Sequence, residues 1–248
     1  MELDRFREYQ IFNNYKITNT CTIDYFLLAF SFSCVLNENI YERINTKTSL
    51  CYNMKCIVDL VLIDDWNRAK TIWILNVLKM QPIRRVFDTF GEEYNYFIKH
   101  VSENQLLNYI CSADECNNKC YYKTGELYFQ YDENNNLLFN SHQFDCCPFC
   151  KNDKNVKKKF QNDTDWLFIQ NMIKSNTKAL TIHDLPDELN VDNKNYKLLM
   201  CTFLTGMHFR SIFKIKNELF LFDDLNVALK TDLCNHNATS CFYLLAEQ

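Results

Sequence analysis

A thiol, an imidazole and a carboxylate, far apart along the chain, are the residues whose types and settings can do chemistry here. Cys21 lies in Asn19-Thr20-Cys21-Thr22-Ile23-Asp24, directly before a long apolar stretch. His208 lies in Gly206-Met207-His208-Phe209 at the head of a second stretch, and Phe222-Asp223-Asp224 closes a third. A cysteine attacks a carbonyl at neutral pH as its thiolate, and the first turn of a helix favours that form through unpaired N–H groups and the helix dipole. An imidazole beside it accepts the thiol proton and passes it to a leaving amine. A carboxylate on Nδ1 then fixes the tautomer that the exchange needs. Partners of this kind meet in space and not in sequence.

The elements that must position these groups follow from breaker and apolar patterns. Gly and Pro occur three times each, so every break carries weight. Residues 23–36 contain none, and their apolar side chains fall on both faces, which predicts a helix buried all round. Asn19 or Thr20 caps it and Cys21 falls in its first turn. Residues 54–78 predict one or two further helices closed by Pro82, and residues 92–107 another. From Cys111 the texture becomes hairpin-like: Leu127 to Tyr131 and Leu137 to Phe139 flank a polar tract. Residues 151–165 read as a loop and 166–173 as a helix. Residues 198–204, 209–215, 219–222 and 242–245 read as strands, so the class is α+β. If Lys216-Asn217 forms a two-residue turn, Ile215 faces Glu218 and Asp223 shares a face with His208, one diagonal step away. A three-residue turn would put Asp224 there instead. Gly206 is expected to leave room for a chain passing the site.

A second constellation lies between the two. Cys111, Cys116, Cys120, Cys146, Cys147 and Cys150 fall within forty residues. Cys147-Pro148-Phe149-Cys150 is a knuckle in which two thiolates and backbone N–H groups wrap one ion. An upstream pair, Cys111 with Cys116 or Cys116 with Cys120, completes a tetrahedral zinc site. Cys111 and Cys116 are the favoured pair, with Cys120 and His142 as alternatives. With four protein ligands such a zinc is structural.

Composition limits the classes. The chain has 248 residues, 47% of them hydrophobic and 15% aromatic, enough for one substantial core or two lobes with a cleft. A formal charge of -4 weighs against nucleic acid as a partner. The one cationic run, Lys157-Lys158-Lys159, reads as a solvated turn. The longest apolar stretches are too short to span a membrane. Thirteen cysteines, an odd number, with no apolar leader segment point to reduced thiols and metal ligands. The expected location is cytoplasmic or nuclear.

Asn-Thr-Cys-Thr-Ile-Asp before an apolar helix resembles the Cys box of ubiquitin-specific proteases. Gly-Met-His-Phe, a hairpin and Phe-Asp-Asp are similar to their His box. Ile-Asp after the cysteine resembles more the divergent SUMO-directed branch, including its transposon-borne copies. The resemblance implies a papain-like cysteine peptidase fold: a helical thumb (1–108), zinc-pinned β fingers (109–165) and an antiparallel-sheet palm (166–248), all one catalytic domain. It implies Cys21 as nucleophile, His208 as general base and acid, and Asp223 as the orienting carboxylate. The family's oxyanion-hole side chain falls where this chain has Lys16, and Asn19 is the substitute beside the Cys21 N–H. The usual Gly immediately before the His is displaced to Gly206, with Met207 between. The implied activity is removal of ubiquitin or a ubiquitin-like modifier such as SUMO from protein conjugates, with a zinc-bearing, non-catalytic modifier-binding module as the alternative.

Overall fold

The computed structural model describes residues 10–12, 15–44, 49–101, 106–111, 116, 120–124, 127–131, 137–141, 147, 150–151, 156–160, 165–171, 180–191, 193–216, 218–223 and 236–246. The helices come first. α1 (Cys21–Leu36) is buried without interruption from Cys21 to Ser31, as its two-faced apolar pattern requires. α2 (Glu38–Ile44) follows directly, and α3 (Ser49–Leu62) turns Met54, Ile57, Val58 and Val61 inward. α4 (Trp66–Ile72) is capped by Asp65, whose carboxylate accepts from Arg68 N–H, and runs on into the wider π turn Trp73–Val77. A second π turn, Tyr94–Ile98, leads into α5 (Lys99–Val101). Ring packing joins these pieces: Phe97 stacks on Phe26 at 4.8 Å and on Trp73 at 4.5 Å.

Fourteen strands form three sheets among the described residues. β1 (Gln10–Phe12), β2 (Tyr15–Thr18) and β3 (Val86–Asp88) make a small sheet in which β2 and β3 run parallel. β4 (Leu106–Cys111) lies between β5 (Cys120–Thr124) and a later strand. β6 (Leu127–Tyr131) and β7 (Leu137–Ser141) form the expected hairpin. β8 (Val156–Phe160) is that later strand, and β9 (Trp166–Asn171) enters the main sheet. β10 (Glu188–Val191), β11 (Lys194–Thr205), β12 (His208–Ile215), β13 (Glu218–Phe222) and β14 (Ala238–Leu245) complete it in the order β13-β12-β11-β14-β9-β6-β7, with β10 beside β11. One face of this sheet buries Phe168, Phe213 and Phe242 against α1, and the other buries Leu167, Ile169, Cys201 and Ile212 in a second core.

Three expectations change. Residues 166–171 are a strand, because Trp166 and Phe168 pack on the α1 side while Leu167 and Ile169 fill the other core, a period of two. The stretch 151–165 is not all loop: β8, which carries Lys157, Lys158 and Lys159, pairs with β4 at the edge of its three-stranded sheet. The helix expected to reach residue 107 ends at Val101 among the described residues, and Leu106 and Leu107 already belong to β4. The β6–β7 hairpin also extends the main sheet, with Leu127 and Phe129 buried in the second core. Among the described residues no helix is long and apolar enough to cross a membrane.

The helices and the sheet also meet through a buried acid. Glu93 Oε2 accepts hydrogen bonds from Ser240 Oγ at 2.8 Å and Thr239 Oγ1 at 3.2 Å. Burial pushes its carboxyl from 4.5 up to about 7, against the opposing pull of the Thr202, Ser240 and Thr239 hydroxyls. The folded state therefore keeps a proton that the unfolded chain releases above pH 4.5, so this group's contribution is fully present below that pH and is lost as pH rises through about 7. Glu93→Gln should flatten that part of the stability profile. Its unfolding free energy relative to the parent should grow by up to about 3 kcal/mol between acid and neutral pH, measured by urea titration.

Candidate active site

The turn that carries Cys21 is clamped from two sides. Asn19 adopts a left-handed backbone (φ 57°), which asparagine tolerates, and this swings the chain from β2 into α1. From one side the chain after β3 holds it: Thr89 N–H donates to the Thr18 carbonyl, Thr89 Oγ1 to the Asn19 carbonyl at 2.7 Å, and Thr22 Oγ1 to the Thr89 carbonyl at 3.1 Å. From the other side Lys70 reaches in from α4. Its Nζ lies 2.7 Å from Asp24 Oδ2 and donates to Thr20 Oγ1 at 3.0 Å, while Thr20 Oγ1 donates to Asp24 Oδ2 at 2.6 Å. Both charged side chains are fully buried. Thr20 occupies the N-cap position, and its carbonyl accepts from Ile23 and Asp24 N–H, but its hydroxyl serves this network and does not cap.

Cys21 opens α1 and is 5% exposed. Its thiol makes no hydrogen bond among the described residues. Burial pushes the Cys34 thiol up to about 12 and the Cys201 thiol further still, which removes both as thiolate nucleophiles.

The histidine half is built on a hairpin. Ile215 stands opposite Glu218 and Ser211 opposite Phe222, the register of a two-residue turn. That parity sets Asp223 on the face of His208 and Arg210. His208 Nε2 lies 3.1 Å from Asp223 Oδ1, and Arg210 Nε lies 2.8 Å from Asp223 Oδ2. The carboxylate thus engages Nε2 and leaves Nδ1 as the other ring nitrogen, the reverse of the sequence expectation. Asp224 lies outside the described residues. Gly206 has φ +66° with nothing within 4 Å of where a Cβ would stand, so the left-handed turn back to β12 favours glycine while local space does not call for it.

Strand directions bring the two halves to one end of the molecule. Trp166 packs on Phe30 and Phe168 on Phe26, so β9 runs against α1. β14 is antiparallel to β9, β11 to β14 and β12 to β11, so β12 runs along α1. Phe32 of α1 meets Phe213 of β12 at 5.4 Å. Cys21 lies about 16 Å back along the helix from that contact, and His208 about 16 Å back along the strand. The helix start and the imidazole therefore stand at the same level, although alternation along β12 puts His208 on the Ile212 face and Phe209 in the α1 core.

The remaining expected residues divide. Asn19 Nδ2 donates to Asp88 Oδ1 at 2.7 Å, which commits its amide away from an oxyanion role, and Lys16 is exposed on β2. Cys116, Cys147 and Cys150 come together, their Sγ atoms all within 4.8 Å of one another, and can hold a metal ion. Cys111 ends β4, its side chain outside the described residues, as are those of Cys120, His142 and Cys146. Sequence reasoning missed Lys70 and Glu93. A signal existed for each: Lys70 falls on the stripe of Trp66, Ala69 and Trp73, and Glu93 on that of Phe97 and Val101, where a charge breaks an apolar face.

No protein-family model matches the chain, and no curated protein matches it by sequence. Among solved structures it is similar to a chain of the SAGA DUB module bound to monoubiquitin, at 13% identity and TM-score 0.45, covering 100% of this chain and 71% of that one. It is similar to the papain-like protease of MERS coronavirus, at 9% identity and TM-score 0.46, covering 97% and 69%. It is also similar to an essential yeast splicing factor, at 10% identity and TM-score 0.48, covering 99% and 74%.

The thiol environments make a direct prediction. In the folded protein at pH 8, Cys34 and Cys201 should resist iodoacetamide for hours and react once urea is added, as read by peptide mass spectrometry. Fast modification of either in the native protein would contradict the burial that protonates them.

Proposed function

We propose that the chain is a thiol isopeptidase that removes ubiquitin or a ubiquitin-like modifier such as SUMO from protein conjugates. The observation that carries this reading is the His208–Asp223 contact of 3.1 Å on a hairpin running alongside a helix that begins at Cys21. In the proposed reaction Nδ1 of His208 takes the Cys21 thiol proton as sulfur attacks the carbonyl of the isopeptide bond. The proton goes to the departing lysine amine, and water cleaves the thioester. Asp223 holds the imidazole through Nε2, and Arg210 sets a positive charge beside the other carboxylate oxygen. The Cys21 thiol and His208 would close to hydrogen-bond range on substrate binding, as catalytic pairs often do. The modifier specificity rests on the sequence resemblance alone, and so does the division into thumb, fingers and palm.

Zinc in the cysteine site belongs to the same reading. Cys116 and Cys147 Sγ stand 3.5 Å apart, near the edge of about 3.8 Å that a tetrahedron with Zn–S of about 2.3 Å requires. Cys150 would be the third ligand and Cys111 the fourth. The ion would tie the end of β4 to the chain after β7 and take no part in the chemistry.

One observation favours the second reading, a modifier-binding module without activity: the Asn19 amide is held by Asp88, so the expected oxyanion donor is engaged elsewhere. Electrophilic probes built on the C-termini of ubiquitin and SUMO separate the two. Covalent labelling by one probe, lost in Cys21→Ala with binding retained, supports the isopeptidase. Binding of a modifier with no labelling supports the module. Asp223→Ala should slow labelling by about a hundredfold or more while Asp224→Ala leaves it nearly unchanged. Elemental analysis should find one zinc per chain, lost in Cys147→Ser, and metal-free native protein would refute the zinc assignment.

A further inference from the structure

We infer that Lys70 is a positioning residue for Cys21: by cancelling the charge of Asp24 in a buried pair, it lets Asp24 lock the helix start without opposing the thiolate. The inference rests on reading Cys21 as a reactive thiol. Asp24 is three residues beyond Cys21 in the first turn, so the two side chains share one helix face with Cβ atoms about 5–6 Å apart. A lone carboxylate at that distance, away from water, disfavours a neighbouring thiolate as any like charge does. Yet Asp24 is needed where it is, because it fixes Thr20, the residue before Cys21. Lys70 resolves the conflict. It arrives from α4, 46 residues away in sequence, with its ammonium 2.7 Å from the carboxylate and 3.0 Å from the Thr20 hydroxyl. Complete burial of both partners means that water does not screen the pair.

The other ionisable groups around this turn do not replace Lys70. Asp88 on β3 is acidic and holds Asn19, and Glu93 is acidic and bonded to the sheet hydroxyls. His208, on β12, already serves Asp223. Lys70 is the cation bonded to the helix start among the described residues.

A structural ion pair and a charge-balancing one predict different patterns. Loss of either partner of a structural pair harms the site in the same direction. If charge at the thiol matters, the two losses act oppositely. Alkylation of Cys21 by iodoacetamide at pH 7, followed on its own peptide by mass spectrometry, reads this directly. Lys70→Met should slow the reaction by about ten- to hundredfold, with the gap narrowing at pH 10. Asp24→Asn should speed it at pH 7. The neutral double variant and Lys70→Arg should each stay within about threefold of the parent.

Equal rates in all variants, or both single variants moving the same way, would overturn the inference, as would a parent Cys21 that no alkylator reaches. Should Lys70→Met fail to fold, Asp24→Asn decides alone, and a rate that falls or stays put refutes the proposal. The modifier probes remain a separate readout. A parent protein whose Cys21 alkylates quickly but ignores both probes would refute the proposed isopeptidase and leave Lys70's role standing.

Discussion

A helix that is apolar on every side cannot keep its N-terminus in water, and much of the architecture answers that constraint. The chain entering a buried helix, and the polar side chains of its first turn, need partners supplied by the protein. For α1 those partners come from two directions. The chain leaving β3 supplies Thr89 and Asp88, which bind carbonyl and amide groups of residues 18 and 19. α4 supplies Lys70, which binds residues 20 and 24. The small parallel pairing of β2 with β3 brings the first of these alongside, and the packing of α3 and α4 delivers the second. Rigidity at Cys21 is thus a by-product of burying the rest of the helix. A candidate nucleophile at this end inherits a fixed position with no device built for it alone.

The imidazole half obeys a different constraint. Its geometry comes from strand register, which a hairpin turn sets to the single residue. Lys216 in a left-handed conformation, with Ile215 opposite Glu218, decides that Asp223 reaches His208. A shift of one residue would send that carboxylate to the opposite face. Arg210, two places along the same strand face, sets its Nε 2.8 Å from the other carboxylate oxygen as an ion pair. The two halves are therefore assembled independently, one by helix anchoring and one by register. They come to the same level because α1 and β12 run in the same direction across a shared aromatic core.

What the sequence made legible follows the same division. The buried α1, the hairpin, its register and the placing of Asp223 were readable, because each depends on short-range pattern: two-faced apolarity, a turn of known length, alternation. The strand at 166–171 was not, since four successive apolar residues fit a buried helix as well as a strand with a core on both faces. The nitrogen that Asp223 engages depends on ring orientation, to which sequence is blind. Lys70 and Glu93 were missed for a sharper reason. A charged residue on an apolar stripe signals a buried partner, but the partners, Asp24 and Ser240, lie 46 and 147 residues away. Only the fold introduces them.

These pairings share one electrostatic outcome. Four acidic side chains, at the start of α1, on the hairpin and between the helices and the sheet, are each compensated by different means. Asp24 has an ammonium from Lys70, and Asp223 has Arg210 and the His208 ring. Asp88 sits at the surface with donors from Asn19 and the Phe90 N–H. Glu93 has no cation among these contacts, and burial leaves it protonated up to about pH 7. A thiolate at Cys21 does not tolerate Asp24 as a bare neighbour, because like charges out of water repel by several kcal/mol at about 6 Å. An ion pair preserves the hydrogen-bonding power of an acid while cancelling its field, which suits Asp24 beside the thiol. Protonation removes the charge outright, which suits Glu93 between helix and sheet, bonded only to hydroxyls among the described residues. Asp24 at the helix start is thus balanced by an ion pair, and Glu93 between helix and sheet by its own proton.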